Sequence, residues 1–170
     1  MLAVVVLTIV GSILINSFRA QAQVRDGAES ASTAQLIAES VGQGVRNASA
    51  LEVTTPSAGT TMLRTRSVDG SASGTWYCQA WVWSGGELRT SRSSTAIAAP
   101  DAATLSTWTL LASGVAAVGS TPIFSVGTDE RSLDLSLTVA NGETVPILID
   151  SVMVAQQPIP ATGKVTAPCF

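Results

Sequence analysis

Leu2-Ala-Val-Val-Val-Leu-Thr-Ile-Val-Gly-Ser-Ile-Leu-Ile15 opens the chain, and none of these residues is charged. No proline follows before Pro56, so nothing in the sequence forces a break in a helix over roughly the first 50 residues. At about 1.5 Å per residue, a helix from Met1 to about Ala50 is a rod on the order of 70 Å long. A domain of this size cannot cover such a rod. We therefore predict one helix with an apolar end in a membrane or filament core and an amphipathic end that packs on a soluble domain.

The second half of this predicted helix carries the pattern of a docking face. Small and branched apolar residues recur there at steps of three and four, which places them on one side of a helix. These residues are Val24, Ala28, Ala31, Ala34, Ala38, Val41, Val45 and Ala48. We expect Val24, Val41 and Val45 to dock on the sheet. Gly27 weakens the helix by up to about 1 kcal/mol relative to alanine and is the expected place of a kink or short break.

Composition excludes several classes of function. Charged residues make up 12% of the 170 residues, about half of the usual quarter. The net charge is −3 and no basic cluster is present, which argues against nucleic-acid binding. The chain has no histidine and only two cysteines, so zinc sites and histidine-based catalytic dyads or triads are excluded. We expect no enzymatic activity, no metal and no cofactor.

The two cysteines allow two interpretations. Cys78 lies within an apolar strand pattern and Cys169 is the penultimate residue. They are either two unrelated buried thiols or a single disulfide that ties the C-terminus to the sheet, and a translocated domain favours the disulfide. Closing a loop of about 90 residues would stabilise the fold by about 4–5 kcal/mol in the chain-entropy model.

From Leu51 onwards the pattern changes from helical to β. Strands are predicted at 51–55, 62–68, 75–83, 87–95, 122–126, 132–139 and 144–154. Gly85-Gly86 and Asn141-Gly142 are signals for tight hairpin turns. A short helix is possible after Pro100-Asp101, and residues 108–111 fit a strand or a helix. The predicted fold class is α+β, with a long N-terminal helix packed on one antiparallel sheet.

A helix that is first hydrophobic and then amphipathic, followed by a small antiparallel sheet and a late disulfide, resembles the type IV pilin and type II secretion pseudopilin superfamily. The segment from Val4 to Phe18 is similar to the inner part of a prepilin N-terminal segment. Trp76-Tyr-Cys-Gln79, Trp108-Thr-Leu-Leu-Ala-Ser-Gly-Val115 and Pro168-Cys-Phe170 are similar to pieces of actinobacterial minor-pilin-like proteins. The resemblance implies a hydrophobic half-helix at 1–23 and a pilin-like head at 24–170.

Within that head, the resemblance implies an amphipathic helix at 24–50 and an antiparallel sheet at 51–170. The chain would be a structural subunit, held in the cytoplasmic membrane by a single-pass helix and then assembled into a pilus-like or pseudopilus filament at the cell surface. Its partners would be other pilin or pseudopilin subunits and the pilus assembly machinery. The residues expected to pack helix against helix in the filament are Val4, Leu7, Val10, Leu14 and Phe18.

The N-terminus departs from this family. Family members carry a short basic leader ending in glycine, a methylated residue and an early glutamate, and none of these is present. The apolar run of about 15 residues is about 22 Å long as a helix, which is short of the roughly 30 Å hydrocarbon core. Both differences follow if Met1 lies inside the original apolar segment. This hypothesis requires that the codons upstream of Met1 encode a segment with the family's glycine and glutamate.

Two other interpretations of the chain compete with a pilin. The apolar run could be a secretory signal cleaved after Ala20-Gln21-Ala22, although no basic region precedes it and Arg19 separates the core from the cut. The alternative function is a membrane-anchored or secreted binding or adhesion module that uses an exposed tryptophan face. Asp129, Glu130 and Asp134 are candidates for a calcium loop, but calcium needs six or more oxygen ligands and turn carboxylates are usually solvated.

Overall fold

The structure is a computed structural model that describes residues 2–68, 75–142, 145–158 and 169, with the backbone alone at residues 2–6 and 8. Its elements in chain order are α1 (Leu2–Arg46), β1 (Ala48–Ser57), β2 (Thr60–Val68), β3 (Trp76–Ser84), β4 (Glu87–Ser93), α2 (Ala102–Ser106), β5 (Thr109–Ser113), β6 (Val115–Ala117), β7 (Phe124–Val126), β8 (Ser132–Val139) and β9 (Ile147–Val154). The long helix and the antiparallel strands confirm the α+β class. We call β1 to β9 and their connections the head.

Helix α1 is a single element of 45 residues, about 67 Å long. Gly27 does not interrupt it, so the predicted break at that position is wrong. The helix ends at Arg46, about four residues before the predicted end. Ala48 instead pairs with Ser67 of β2, because strand pairing within a packed sheet overrides the weak helix propensity of this segment.

The strands form two antiparallel sheets, and the prediction of one sheet is wrong. β1 to β5 follow one another in chain order in the first sheet, while β8 is the central strand of the second. β9 pairs with one edge of β8, and the short strands β6 and β7 share the other edge. The chain passes between the sheets at Gly114, whose φ is +68°. Strands of three residues have no readable period, so the sequence did not reveal β6.

The two predicted hairpin turns have different outcomes. Gly85 and Gly86 both have positive φ and connect β3 to β4 directly, as predicted. In the other hairpin Val139 pairs with Ile147, so the connection covers residues 140–146 and the return strand starts three residues later than predicted. Gly142 lies against the helix there: a Cβ at Gly142 would be 3.1 Å from Oδ2 of Asp26.

The main core lies between α1 and the inner faces of both sheets. The helix contributes Ala34, Ile37, Val41 and Val45, the first sheet Leu63, Trp81, Leu88 and Ala112, and the second sheet Phe124 and Met153. The four alternating residues Leu133, Leu135, Leu137 and Val139 of β8 also belong to this core. Their burial follows from the alternation of side chains between the two faces of a strand.

A second, smaller core covers the opposite face of the first sheet. It contains Met62, Cys78, Ala80, Val82, Ile97, Trp108 and Cys169. The short helix α2 is capped by Asp101, whose carboxylate accepts a hydrogen bond of 2.7 Å from the N–H of Thr104. Cys78 and Cys169 form a disulfide with a Cα–Cα distance of 5.3 Å, which confirms the interpretation of the two cysteines as one pair.

Strand β9 packs alongside the second half of α1, and the chain just beyond it is bonded to the end of the helix. At its start, the preceding loop places Gly142 next to Asp26. Beyond its end, the N–H of Gln156 donates a hydrogen bond of 3.1 Å to the carbonyl of Arg46. The head therefore extends along the helix from about Asp26 to Arg46, and the earlier helix residues project beyond it.

Candidate assembly surface

The projecting part of α1 exposes apolar side chains. Between Leu7 and Val24, every large apolar side chain that the structure describes is 47–74% exposed. These residues are Leu7, Ile9, Val10, Ile13, Leu14, Ile15, Phe18 and Val24. Scattered apolar residues are normal on a protein surface, but a contiguous apolar segment marks an interaction site.

One side of α1 changes character where the head begins. Positions at steps of three and four share a side of a helix. On the side that docks on the head, these positions are Ser30, Ala34, Ile37, Val41 and Val45, all buried. The same steps lead towards the N-terminus through Asp26 to Gln23, Arg19, Asn16 and Ser12, which are exposed and polar. We call Ser12, Asn16, Arg19 and Gln23 the polar stripe.

The opposite side of the projecting helix is apolar. Leu7, Val10, Leu14 and Phe18 also follow one another at steps of three and four, and we call them the apolar stripe. Leu14 and Asn16 are two residues apart, so their side chains point about 200° apart around the helix axis. The polar and apolar stripes therefore lie on opposite sides of the projecting segment, and the exposed Ile9 and Ile15 flank the polar stripe.

The apolar stripe contains four of the five residues predicted to pack helix against helix. Leu7, Val10, Leu14 and Phe18 are exposed in the single chain, and the side chain of Val4 lies outside the described part. Their role in a filament stays a prediction. The polar stripe was not anticipated, although its spacing was visible in the sequence.

The three residues predicted to dock the helix on the sheet do not act together. Val41 and Val45 are completely buried in the main core. Val24 is 74% exposed, so its prediction is wrong within the single chain. It precedes the level at which the head begins, and it lies on the side of the helix that faces away from the core. A residue can fit the apolar repeat of a helix and still lie outside the part of the helix that docks on the sheet.

The described side chains, which exclude those of residues 1–6 and 8, contain no helical stretch with the length and apolarity needed to cross a membrane. The membrane segment expected for residues 1–23 stays a prediction.

The tryptophans do not form the exposed face that a binding module would need. Trp81 is completely buried, and its Nε1 donates a hydrogen bond of 3.1 Å to Oγ of Ser40 on α1. Trp83 is half-buried and donates to the carbonyl of Val115, while Trp108 belongs to the second core. Trp76 is also half-buried, with the guanidinium of Arg66 over its ring.

In the turn at 127–132, the carboxylate of Asp129 accepts hydrogen bonds from residues of the same turn. Oδ1 of Asp129 accepts hydrogen bonds from the hydroxyl of Ser132 (2.6 Å), the N–H of Ser132 (2.9 Å) and the N–H of Arg131 (3.1 Å). These bonds lower the pKa of Asp129 from 3.8 to about 2, with the Ser132 hydroxyl as the largest cause, because they favour the charged carboxylate. Asp129 thus holds the shape of the turn, and Glu130 projects from it with a φ of 55°.

Asp129→Asn is expected to make stability less sensitive to acid. The folded-state pKa of Asp129 lies below its unfolded-state value, so its contribution is complete above about pH 4 and is lost as the pH falls towards about 2. The urea midpoint of the wild type should therefore fall more steeply over that window than the midpoint of Asp129→Asn. Asp134→Asn, an exposed carboxylate on β8, is the matched control and should keep the wild-type slope. Parallel curves for wild type and Asp129→Asn would contradict the role of this turn.

A groove of about 820 Å³ lies between β1 and β7. Most of its charged side chains already have partners: Glu52 pairs with Arg64, Nε of Arg66 donates to Oγ of Ser49, and Nη2 of Arg131 donates to two carbonyls. Within the described ranges, no group of three or more acidic or cysteine residues is placed to hold a metal ion. The exposed half of α1 is therefore the strongest candidate for a functional surface.

Comparison with known proteins does not place the chain in a family, because no family model, curated protein or solved structure matches it.

Proposed function

We propose that this chain is a structural filament subunit, a minor pilin or pseudopilin. Its apolar helix holds it in the cytoplasmic membrane before assembly, and the same helix then packs among those of neighbouring subunits in a filament at the cell surface. Its partners are other subunits of this kind and the machinery that assembles them. Its role is assembly rather than catalysis.

The observation that carries this proposal is the two-sided character of the projecting helix. A bundle of such helices can turn every apolar stripe inward while every head lies on the outside. The polar stripe is on the same side as the head, so it faces outward in that arrangement, away from the packed apolar stripes. A helix designed only to anchor a head in lipid has no need for polar residues on one side.

The driving force is the burial of the apolar stripe and its neighbours. Burying a valine, leucine, isoleucine or phenylalanine side chain contributes about 1.5–3 kcal/mol. Several such side chains are exposed on each copy, so repeated contacts add up to a strong association even after the entropy cost of ordering each subunit. A contact between different surfaces of identical subunits gives a filament when the rotation that it imposes does not close into a ring.

Leu14→Glu is expected to abolish filament formation. It places a carboxylate in the middle of the apolar stripe, where assembly would bury it without a partner at a cost of several kcal/mol. The full chain is purified in a nonionic detergent, the detergent is removed, and filaments are counted by negative-stain electron microscopy and pelleted by ultracentrifugation.

Ser12→Glu is the matched control, because it introduces the same charge at nearly the same height on the polar stripe, two helical turns from Arg19. It should assemble like the wild type. The proposal fails if the wild type stays monomeric after detergent removal, or if Leu14→Glu forms filaments as readily as Ser12→Glu. Circular dichroism of each variant verifies that the head is folded.

A further inference from the structure

The part of α1 that precedes the head is an exposed helical segment. From Ile9 to Arg25 the helix is exposed, apart from the half-buried Gly11, which corresponds to about 25 Å of helix. The head begins at about Asp26, where the loop containing Gly142 lies against the helix. It lies on the same side of the helix as the polar stripe. If subunits stack along the helix axis, the space beside each polar stripe, on the N-terminal side of the head, must be filled by a neighbouring subunit or by water.

Arg19 is the charge on this uncovered side. It is the first charged residue of the chain, and it is exposed. Among the described residues the ion pairs are Arg64 with Glu52 and Arg89 with Glu87, so Arg19 has no carboxylate partner in the part of the chain that the structure describes. Covering an arginine without supplying an acceptor costs several kcal/mol. A neighbour that fits here must therefore present a carboxylate.

The opposite end of the head presents such a carboxylate. The turn containing Glu130 is fixed near the end of α1, because Nη2 of Arg131 donates to the carbonyls of Ala155 (2.6 Å) and Gln157 (2.8 Å). Gln156, between these two residues, bonds to the last residue of the helix. Asp129 is used by the turn, whereas the side chain of Glu130 is exposed and has no ion pair or hydrogen bond within the described residues.

We propose that Glu130 of one copy pairs with Arg19 of the next copy. The end of one head, where its helix α1 terminates, then docks on the polar stripe of the other copy. The 27 residues from Arg19 to Arg46 span about 40 Å of helix, which sets the approximate axial offset between the two copies. The pair gives the stack a direction. Arg19 lies on the N-terminal side of each head, and Glu130 lies at the opposite end of the head, near the end of α1. This inference rests on the proposed filament and names one of its contacts.

The test uses a zero-length crosslink between copies of the full chain. Arg19→Lys keeps the positive charge and supplies an amine that a carbodiimide can join to a carboxylate in direct contact. Samples are assembled by detergent removal and treated with the carbodiimide, and covalent dimers are quantified by denaturing gel electrophoresis. The crosslinked peptides are identified by mass spectrometry.

Arg19→Lys should give at least about five times more covalent dimer than the wild type, and the added Glu130→Gln should return the yield to the wild-type level. Arg25→Lys is the matched control, because it places the same amine six residues further along on the side facing away from the head. It should show no Glu130-dependent crosslink.

The pairing is refuted if Arg19→Lys gives no additional dimer, or if Glu130→Gln leaves that dimer unchanged. Ultracentrifugation of the same samples separates this outcome from failure of the proposed function. Pelleted filaments without the crosslink refute the Arg19–Glu130 contact alone. Samples that do not pellet at all refute both the filament and the contact.

Discussion

Gly44→Ala is expected to lower the free energy of unfolding by about 3 kcal/mol, at the upper end of the range for overpacked cores. A Cβ at Gly44 would overlap Cη2 of Trp81 and lie 2.7 Å from Cζ2 of the same ring. The indole cannot move aside, because it is completely buried and its Nε1 is bonded to Ser40. The helix must therefore shift away from the sheet to make room.

Gly42→Ala is the matched control for this effect, two residues earlier in the same helix turn. Its Cβ would meet only the guanidinium of Arg46, with 3.2 Å to Nη1, and the end of this side chain can move. Replacing a helical glycine by alanine should then stabilise the protein by up to about 1 kcal/mol. Urea unfolding of the full chain in a mild detergent, followed by tryptophan fluorescence, measures both variants. Equal midpoints for the two would show that Gly44 is not a point of close contact.

Replacing Cys78 and Cys169 together by alanine is expected to cost about 4–5 kcal/mol of unfolding free energy in the chain-entropy model. The bond joins residues 91 positions apart, so its loss frees a very long loop in the unfolded chain. Both cysteines also belong to the second core, which loses its attachment to the C-terminus. The measurement is urea unfolding of the double variant and of the wild type, each with and without a reductant.

The reductant should bring the wild type close to the double variant and leave the double variant unchanged, which separates the covalent effect from the loss of side-chain volume. A double variant within about 1 kcal/mol of the oxidised wild type would contradict the expectation. That result would mean that the unfolded chain is compact enough to make loop closure inexpensive.

Strong periodic patterns predicted their structures well. The absence of proline before Pro56 predicted the long helix, and the period-two pattern predicted the strand at 132–139. The strand predicted at 75–83 alternates between the two cores: Trp81 lies in the main core, and Cys78, Ala80 and Val82 lie in the second. Patterns of this kind report one element and its burial, and neighbouring elements do not easily override them.

Features that depend on where elements meet were not predicted. Val24 fits the apolar repeat, yet nothing in the repeat says that the head begins only at Asp26. Asn141-Gly142 is a strong turn signal, but Val139 pairs with Ile147, so the connection is longer than a two-residue turn. The division into two sheets follows from the path of the chain at Gly114, which local patterns do not determine. The spacing of the polar stripe is present in the sequence, but the apolar character of the whole segment hides it.

The packing of β9 along α1 has a mechanical consequence. If neighbours hold the projecting helix while the head is pulled along the same axis, the load reaches β8 and β9 lengthwise. Strands loaded in that direction shear, so the hydrogen bonds between them resist together instead of opening one after another. Resistance of this kind depends on the rate of unfolding rather than on equilibrium stability, and it suits a protein that must stay folded under tension.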